Sequence, residues 1–373
     1  GGTAPDPSTT DSPPVEPALS PAPRRALADT IDTLRRRIRQ PGAPDSLRLA
    51  LARACQRTGT IEDRTQALAL YDTIRRTYQD DPGYHRERAA LFERCGQPSR
   101  ARESLEELLK LTPHDVAARI EIARLRLREL TWHFDLDLAE PMLEVLRVAR
   151  EDAPADRDAL YLGALALELS MERPGRWSPA QARQGEAWLR TLLDRHPDDT
   201  PARLLLAVHL LDQGRQDEAW QSFAAAVDSG PADQRAAFYS ARWTLGAADP
   251  PPPERAGAAE LARYDRLAWR RVDPTPLTDR NENQLILWKR LALADPLFGL
   301  PDRGVRGWDT PPGEAFVRYG EPVAHDFNPG EVWAGPNSTI TLPKAQAGGP
   351  PPDAPIRLIP TAWNWRYHFR GID

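Results

Sequence analysis

The sequence has few cysteines, few lysines and no long apolar run. Its longest apolar stretch, Ala159–Leu169, is about half the length that a membrane-spanning helix needs. The two cysteines, Cys55 and Cys95, lie 40 residues apart. We interpret them as two small buried side chains. The alternative, in an oxidising compartment, is a disulfide that joins neighbouring repeats.

Positive and negative charges nearly balance. The net charge is −5 and the isoelectric point is near 5.9, which argues against a bulk nucleic-acid binder because such domains are usually basic. Only Lys110, Lys289 and Lys344 are lysine, so almost all positive charge is arginine, as in proteins from high-GC genomes. The chain of 373 residues has 38 prolines and 40% hydrophobic residues. These values favour an elongated repeat array with proline-rich linkers.

No motif for catalysis is present. The sequence lacks a glycine-rich phosphate loop, a GxSxG elbow and an HExxH helix. His133, Asp135 and Asp137 alternate, which would not place them on one face of a helix, so we interpret them as a polar loop. Residues 337–339 match the N-glycosylation pattern, which is usually unused in a bacterial chain. We therefore predict no catalytic residue, no metal site and no cofactor.

Residues 1–24 are rich in proline, serine and threonine. Such a segment buries too little apolar surface to offset its ordering entropy, so we predict that it is disordered. The sequence begins at Gly1 rather than at methionine. We interpret the segment as a tether in an exported protein, or in a bacterial lipoprotein whose modified cysteine would precede Gly1. An ordinary disordered tail is the alternative.

A small alanine followed by a large apolar residue recurs at a fixed interval. Ala67 and Tyr71 lie 34 residues before Ala101 and Leu105, and 34 is the period of the tetratricopeptide repeat. A preceding glycine lets the chain turn between two antiparallel helices. The alanine allows the helices to approach closely, and the larger residue fills the space between them. The pattern returns at Gly214, with Ala219 and Phe223.

The region 25–248 resembles a tetratricopeptide-repeat domain of about five helix pairs. Two units match well and two are degenerate, with extra residues predicted in the loops around Phe134–Leu138 and Pro174–Pro179. The good units are 79–115 and 198–231, the degenerate ones are 114–154 and 155–197, and the capping helices are 25–41 and Asp233–Leu245.

Such repeats form a superhelix with a concave groove. In the family this groove binds extended peptides or helices of other proteins. On the first helices of the units, the resemblance implies three candidate groove residues, Arg86, Arg119 and Arg203. The alternative is that these arginines are merely solvated.

The composition changes at 249–257, where four consecutive prolines predict a stiff linker. Beyond it, apolar spacing predicts a helix over Ala258–Val272 and a second over Asn281–Ala294, capped by Thr278 or Asp279. We then predict a short strand at Glu314–Tyr319. Alternating aromatic residues predict another strand within 361–373, and we expect the natural chain to continue beyond it.

Residues 258–373 are interpreted as a GWxTD-like domain. The resemblance rests on Trp269, on DPTP at 273–276, on Asn281-Glu282 and on Gly307-Trp308-Asp309-Thr310. Pro311 stands where the signature ends in aspartate, so any role of that aspartate is lost or moved. The resemblance implies a small α+β unit of the kind found behind tetratricopeptide repeats in bacterial exported proteins, with no established reaction. Its signature residues here are Gly307, Trp308, Thr310, Tyr319, Gly320 and Pro322.

The fold class is therefore predicted as mainly α, with a helical-repeat solenoid followed by this α+β domain. Our leading hypothesis is a non-catalytic protein-interaction scaffold of the bacterial cell envelope, in a periplasmic, outer-membrane-associated or extracellular location. We predict a protein partner, no nucleic acid, and membrane attachment only through an N-terminal lipid anchor. The second hypothesis is a self-assembling subunit of an extracellular or envelope filament, hence a homo-oligomer. The third is an enzyme with its site in the C-terminal domain.

Overall fold

The computed structural model describes residues 21–58, 60–133, 135–171, 176–244, 257–322, 324–328 and 362–366. Contacts group the chain into two compact units. The first comprises residues 1–118 with 327–363, and the second comprises 119–326 with 364–373. Within the described ranges, no helix is both long enough and apolar enough to cross a bilayer.

Most of the described chain consists of antiparallel helix pairs. The first helix, α1 (Pro21–Ile38), precedes them and begins inside the segment predicted to be disordered, whereas residues 1–20 lie outside the described ranges. Four pairs of consecutive helices contact each other: α2 (Asp45–Gln56) with α3 (Ile61–Ile74), α4 (Pro82–Arg94) with α5 (Pro98–Leu111), α8 (Arg157–Met171) with α9 (Pro179–Arg195), and α10 (Thr200–Asp212) with α11 (Gln216–Ser229). Helices α6 (Val116–His133) and α7 (Ala139–Asp152) come between α5 and α8 in the chain.

The pair α4 and α5 shows why these residues form a repeat. Asp81 caps the first helix by accepting a hydrogen bond from the Gly83 N–H at 2.8 Å. Between the helices, Gly96 takes a φ of 68°, a left-handed conformation that favours glycine. Ala101 and Leu105 are buried at the interface. The predicted roles of the turn glycine, the small alanine and the large apolar residue are confirmed here and in the pair α10 and α11.

The two degenerate units carry their extra residues partly in helices and partly in connections. Helix α6 has 18 residues and α9 has 17. A 3-10 turn, Leu136–Leu138, separates α6 from α7 and lies where extra loop residues were predicted. Asp135 caps this turn by accepting from the Asp137 N–H at 3.1 Å.

The core of the first unit is built around tyrosines. Tyr71 and Tyr84 are both fully buried, with ring centroids 5.5 Å apart, and the Tyr84 hydroxyl donates to the Tyr71 carbonyl at 2.8 Å. Cys55 is buried among these helices and Cys95 is half-buried. Both are free thiols, so the structure contains no disulfide between them.

Shorter elements follow α11 in the second unit. Helix α12 (Ala232–Tyr239) is followed by Ser240, whose ψ of 132° is not helical, so the predicted capping helix is interrupted there. A 3-10 turn, Ala241–Trp243, comes next. Three further helices are α13 (Ala258–Arg271), α14 (Glu282–Phe298) and α15 (Pro311–Tyr319).

Two predictions about α14 and α15 were wrong. The cap of α14 is Asn281, which accepts from the Gln284 N–H at 3.1 Å, rather than Thr278 or Asp279. The segment 314–319 is helical rather than a strand, because Thr310 caps it and prolines occupy its first turn, where no backbone N–H is needed.

Two short strands, β1 (Ala324–Asn328) and β2 (Ala362–Arg366), pair with each other. The second confirms part of the strand predicted in 361–373. The remainder of that strand, the prolines of the 249–257 linker and the glycosylation pattern at 337–339 lie outside the described residues.

Candidate functional site

The end of α12 is held by three tryptophans that come from three different elements. The last carbonyls of a helix have no partner within the helix, and here residues 237–239 each accept a hydrogen bond from an indole N–H. The bonds are Trp243 to Ala237 at 2.9 Å, Trp288 to Phe238 at 2.7 Å, and Trp269 to Tyr239 at 3.0 Å.

The signature tryptophan, Trp308, packs on the same helix. Its ring lies edge-on to Phe238, with centroids 5.9 Å apart, and only 2% of the residue is exposed. Trp220 of α11 stacks on Trp288 with centroids 4.6 Å apart. Aromatic contacts therefore join α11, α12, α14 and the signature turn into one packed region.

Close backbone approach explains the signature glycine. A Cβ on Gly307 would stand 1.9 Å from the Ala294 carbonyl oxygen, so only glycine fits. The Gly307 N–H donates to Asp295 at 2.8 Å, and the Thr310 hydroxyl donates to the Gly307 carbonyl at 2.6 Å. Thr310 also accepts from the Gly313 N–H at 3.2 Å, which caps α15. These two signature residues thus form a compact helix start.

The other end of α15 is closed by Arg290 of α14. Its guanidinium donates to the carbonyls of Val317 and Arg318 at 3.2 and 3.1 Å. Gly320 then turns the chain with a φ of 79°, and it lies close to the same guanidinium. Tyr319 is half-exposed. The signature residues around this turn therefore end a helix.

A cleft of about 1390 Å³ opens in the second unit between α12, α13 and the segment 273–284. Four aromatic side chains line it, together with five arginines and five aspartates. These lining residues are Trp220, Tyr239, Trp269 and Trp308; Arg235, Arg242, Arg266, Arg270 and Arg280; and Asp233, Asp265, Asp273, Asp279 and Asp309.

Three of the five arginines are already bonded. Arg242 pairs with Asp309 at 3.3 Å, and Arg235 donates to the carbonyls of Asp228 and Gly230. Arg280 donates to Gln216 at 3.2 Å, and it also pairs with Asp217 and Glu282.

Arg266 and Arg270 are different. Both are exposed on α13, one turn apart, and the structure shows no bonded partner for either side chain in the part of the chain that it describes.

Two of the aspartates are held by backbone N–H groups. Asp265 accepts from Ala241 at 2.9 Å, and Asp273 accepts from Thr275 at 3.0 Å. Burial raises the pKa of Asp265, although its hydrogen bond opposes this shift. Asp233 is instead paired with Arg306 at 2.8 Å, and that bond lowers the Asp233 pKa.

A separate charged cluster joins α8, α10 and α14, with Glu168 buried and Asp212 and Lys289 half-buried. Lys289 contacts Asp212 at 2.7 Å and Glu168 at 3.2 Å. Burial alone would raise the pKa of Asp212, but its hydrogen bond with Glu168 and the Lys289 ammonium lower it overall.

His209 completes this cluster and is fully buried. Its Nε2 lies 3.0 Å from the Ala164 carbonyl oxygen, and its Nδ1 lies 3.7 Å from Glu168. A Cβ on Gly185 would stand 2.4 Å from the imidazole, so the glycine of α9 makes room for it. Burial lowers the pKa of His209 to about 4, which leaves the ring neutral at pH 7.

The cleft brings aromatic rings, arginines and aspartates together. Its described lining contains no histidine, cysteine or lysine, and the Ser240 hydroxyl accepts from the Arg242 N–H. Among the described residues, no three or more histidine, cysteine, aspartate or glutamate side chains are placed so that they could hold one metal ion. Two of the rings in the cleft, Trp220 and Tyr239, are half-buried rather than fully buried, and such rings beside charged side chains are a usual lining of a peptide-binding surface.

The predicted groove arginines occupy different places. Arg86 is exposed in the first unit and pairs with Asp115. Arg203 lies in the second unit and donates to Ser229 at 3.4 Å and to the Pro197 carbonyl. Arg119 is half-buried on α6. Their role in binding stays a prediction.

The pair Arg266 and Arg270 was not predicted from the sequence. One signal was available: two arginines four residues apart on one helical face, with no acidic residue four positions before either on that face. Neither Trp220 nor Trp308 carried such a signal for the cleft, because they meet it from elements far apart in the sequence.

Comparison with known families matches residues 82–125 to the tetratricopeptide repeat. The matched residues cover α4, α5 and the start of α6, and they overlap the predicted unit 79–115. The GWxTD domain and a bacterial origin rest on the sequence resemblance alone.

Several solved structures are similar to parts of the chain. A tetratricopeptide repeat protein from Parabacteroides merdae is 15% identical, with 73% of this chain and 94% of that one covered and a TM-score of 0.42. MamA from Desulfovibrio magneticus is 20% identical, with coverage of 50% and 94% and a TM-score of 0.40. YrrB, described as a repeat protein with an unusual peptide-binding site, is 13% identical, with coverage of 56% and 94% and a TM-score of 0.41. The comparison with curated proteins found no relative.

Proposed function

We propose that this chain is a non-catalytic scaffold that binds other proteins. The observation that carries the proposal is the cleft of the second unit, where aromatic rings and charged side chains are held in place by surrounding helices. Anchors that are fixed before binding lose little side-chain entropy when a partner docks. The predicted groove arginines of the repeats would add further contacts.

The region around the signature stabilises one wall of the cleft. Gly307, Thr310 and Trp308 fasten α15 and α14 to α12, which forms one wall of the cleft. We propose that the whole of 258–373 forms the GWxTD-like α+β domain, with the pair β1 and β2 as its sheet. The sequence resemblance to that domain supports the proposal.

We further propose an exported location in a bacterial cell envelope. The support is that GWxTD-like domains are found behind tetratricopeptide repeats in bacterial exported proteins, together with the proline-rich composition of residues 1–24. Fractionation of the source cells with an antibody to the native protein tests this. Recovery only with cytoplasmic markers would contradict it.

The scaffold proposal is tested by affinity capture of the native protein, identification of what is retained, and reconstitution from purified components. We expect at least one protein to bind the purified full chain directly and to do so without being chemically altered. If every captured protein fails to bind in the purified system, the proposal is wrong.

Sedimentation of the purified chain over a range of concentrations distinguishes self-assembly from a scaffold of separate partners. A monomer at all concentrations would rule out the filament hypothesis. Growth into polymers would favour it, since repeat arrays can stack through non-closing contacts.

A further inference from the structure

We propose that the cleft beside α13 binds an acidic peptide segment, with carboxylates two residues apart in an extended chain, through Arg266 and Arg270. The inference rests on the proposed function, and it adds the chemistry of the partner and the residues that recognise it.

Some of the charged side chains in the cleft form ion pairs, and others do not. Arg242 is paired with Asp309, and Asp233 is paired with Arg306. Arg266 and Arg270 line the cleft without a bonded partner in the described chain. Their positive charge is therefore available to a ligand.

The acidic lining residues do not cancel this charge. Asp265 and Asp273 are each turned to a backbone N–H, at 2.9 and 3.0 Å. Asp279 is exposed in the segment before α14. None of these three carboxylates forms an ion pair with Arg266 or Arg270 among the described residues.

The spacing of the two arginines sets the spacing of the ligand. Residues four apart on a helix have Cβ atoms about 6 Å apart. Residues two apart on an extended strand lie about 6.7 Å apart on the same side. Each guanidinium can hold a carboxylate with two parallel hydrogen bonds, so an acidic residue at every second position fits the pair.

The rest of the lining favours a peptide over a small anion. The cleft of about 1390 Å³ is far larger than a single carboxylate or phosphate needs. Trp220 and Tyr239 line it as half-buried rings, and both are fixed by contact with the ring of Trp288. These rings offer apolar contact to the residues between the acidic ones.

The test uses the purified full chain and a short fluorescein-labelled peptide with glutamate at alternate positions and no basic residue. A matched peptide carries glutamine at the same positions, and a third carries lysine. We expect fluorescence anisotropy to show saturable binding of the glutamate peptide alone, weakening as salt is added.

The variants Arg266→Gln and Arg270→Gln should each weaken binding about tenfold, and the double variant should abolish it at the same concentrations. Arg263→Gln is the matched control, because Arg263 is exposed on α13 but does not line the cleft. Its affinity should match that of the unchanged chain.

Three results would overturn the inference: no binding of the glutamate peptide, equal binding of the glutamine or lysine peptide, or an equal effect of Arg263→Gln. The scaffold proposal is judged separately. If the glutamate peptide does not bind but a reconstituted protein partner does, the acidic-peptide site is wrong and the scaffold stands. If no protein binds any form, the scaffold itself is wrong.

Discussion

The indole N–H of Trp288 donates a hydrogen bond of 2.7 Å to the carbonyl of Phe238, fifty residues earlier in the chain. Both side chains are fully buried. The bond ties the middle of α14 to the last turn of α12, at a carbonyl that its own helix cannot satisfy. The wall of the cleft thus depends on a contact between distant parts of the sequence.

The variant Trp288→Phe removes this donor and part of the ring. We expect the free energy of unfolding to fall by about 3 kcal/mol, because the Phe238 carbonyl is left buried without a partner and a cavity opens. Urea titration measures the change. Trp177→Phe is the control, since Trp177 is half-exposed, and it should change stability by less than about 0.5 kcal/mol. Equal effects of the two variants would contradict the role of the bond.

Much of the repeat architecture could be predicted from the sequence because its determinants are local. The glycine turn at Gly96 and the buried Ala101 and Leu105 recur at a fixed spacing that reflects helix packing. Helix α15 could not be predicted in this way. Residues 314–319 resemble a strand when viewed alone, and the cap at Thr310 together with the two prolines after it decides the helix.

The cleft was beyond sequence reasoning for a different reason. Its walls come from elements far apart in the chain, as in the ion pair between Arg280 and Asp217. Whether an arginine is free or bonded depends on such distant partners. Arg86 and Arg203 looked available in the sequence, yet both are bonded within the chain, whereas Arg266 and Arg270 are not.

The variant Gly307→Ala tests the close approach of the signature turn to α14. The added Cβ would stand 1.9 Å from the Ala294 carbonyl oxygen, so the turn must move away from α14. We expect a loss of more than about 3 kcal/mol of stability, and faster amide exchange in residues 311–319 than in the repeats. Gly257→Ala is the matched control, because nothing lies within 4 Å of its Cβ position. Unchanged exchange in Gly307→Ala would disprove the packing argument.

Thr310 should matter through its hydroxyl. Thr310→Val keeps the shape but removes the acceptor for the Gly313 N–H and the donor to the Gly307 carbonyl. We expect a loss of about 1 to 2 kcal/mol in the free energy of unfolding. Thr310→Ser keeps the hydroxyl and should recover most of that loss. If serine and valine destabilise equally, the capping role is wrong and the methyl group is what counts.

Lys289 should be needed to neutralise the buried Glu168 of α8 and the half-buried Asp212 of α10. Lys289→Met preserves the length of the side chain but leaves Asp212 and Glu168 without their cation. We expect a loss of about 3 kcal/mol at pH 7. Since Asp212 can then be held only by taking up a proton, the loss should shrink as the pH is lowered toward 5. Lys110→Met, at an exposed ion pair, should cost less than about 0.5 kcal/mol. A loss that does not vary with pH would contradict this account.

His209 makes the stability of the chain depend on pH. Its pKa falls from the usual 6.5 to about 4 because the ring is buried, so between these values the unfolded chain binds a proton that the folded chain does not. The free energy of unfolding should therefore decrease as the pH falls from 6.5 to 4, by about 3 kcal/mol at the lower end, and stay level above 6.5. Urea titrations at pH 7.5, 5.5 and 4.5 measure this dependence. The variant His209→Gln should flatten the curve of unfolding free energy against pH. His196→Gln, at an exposed position, is the control and should leave the curve unchanged. The neighbouring carboxyl groups remain in both, so a slope that survives His209→Gln would assign it to Asp212 and Glu168 instead.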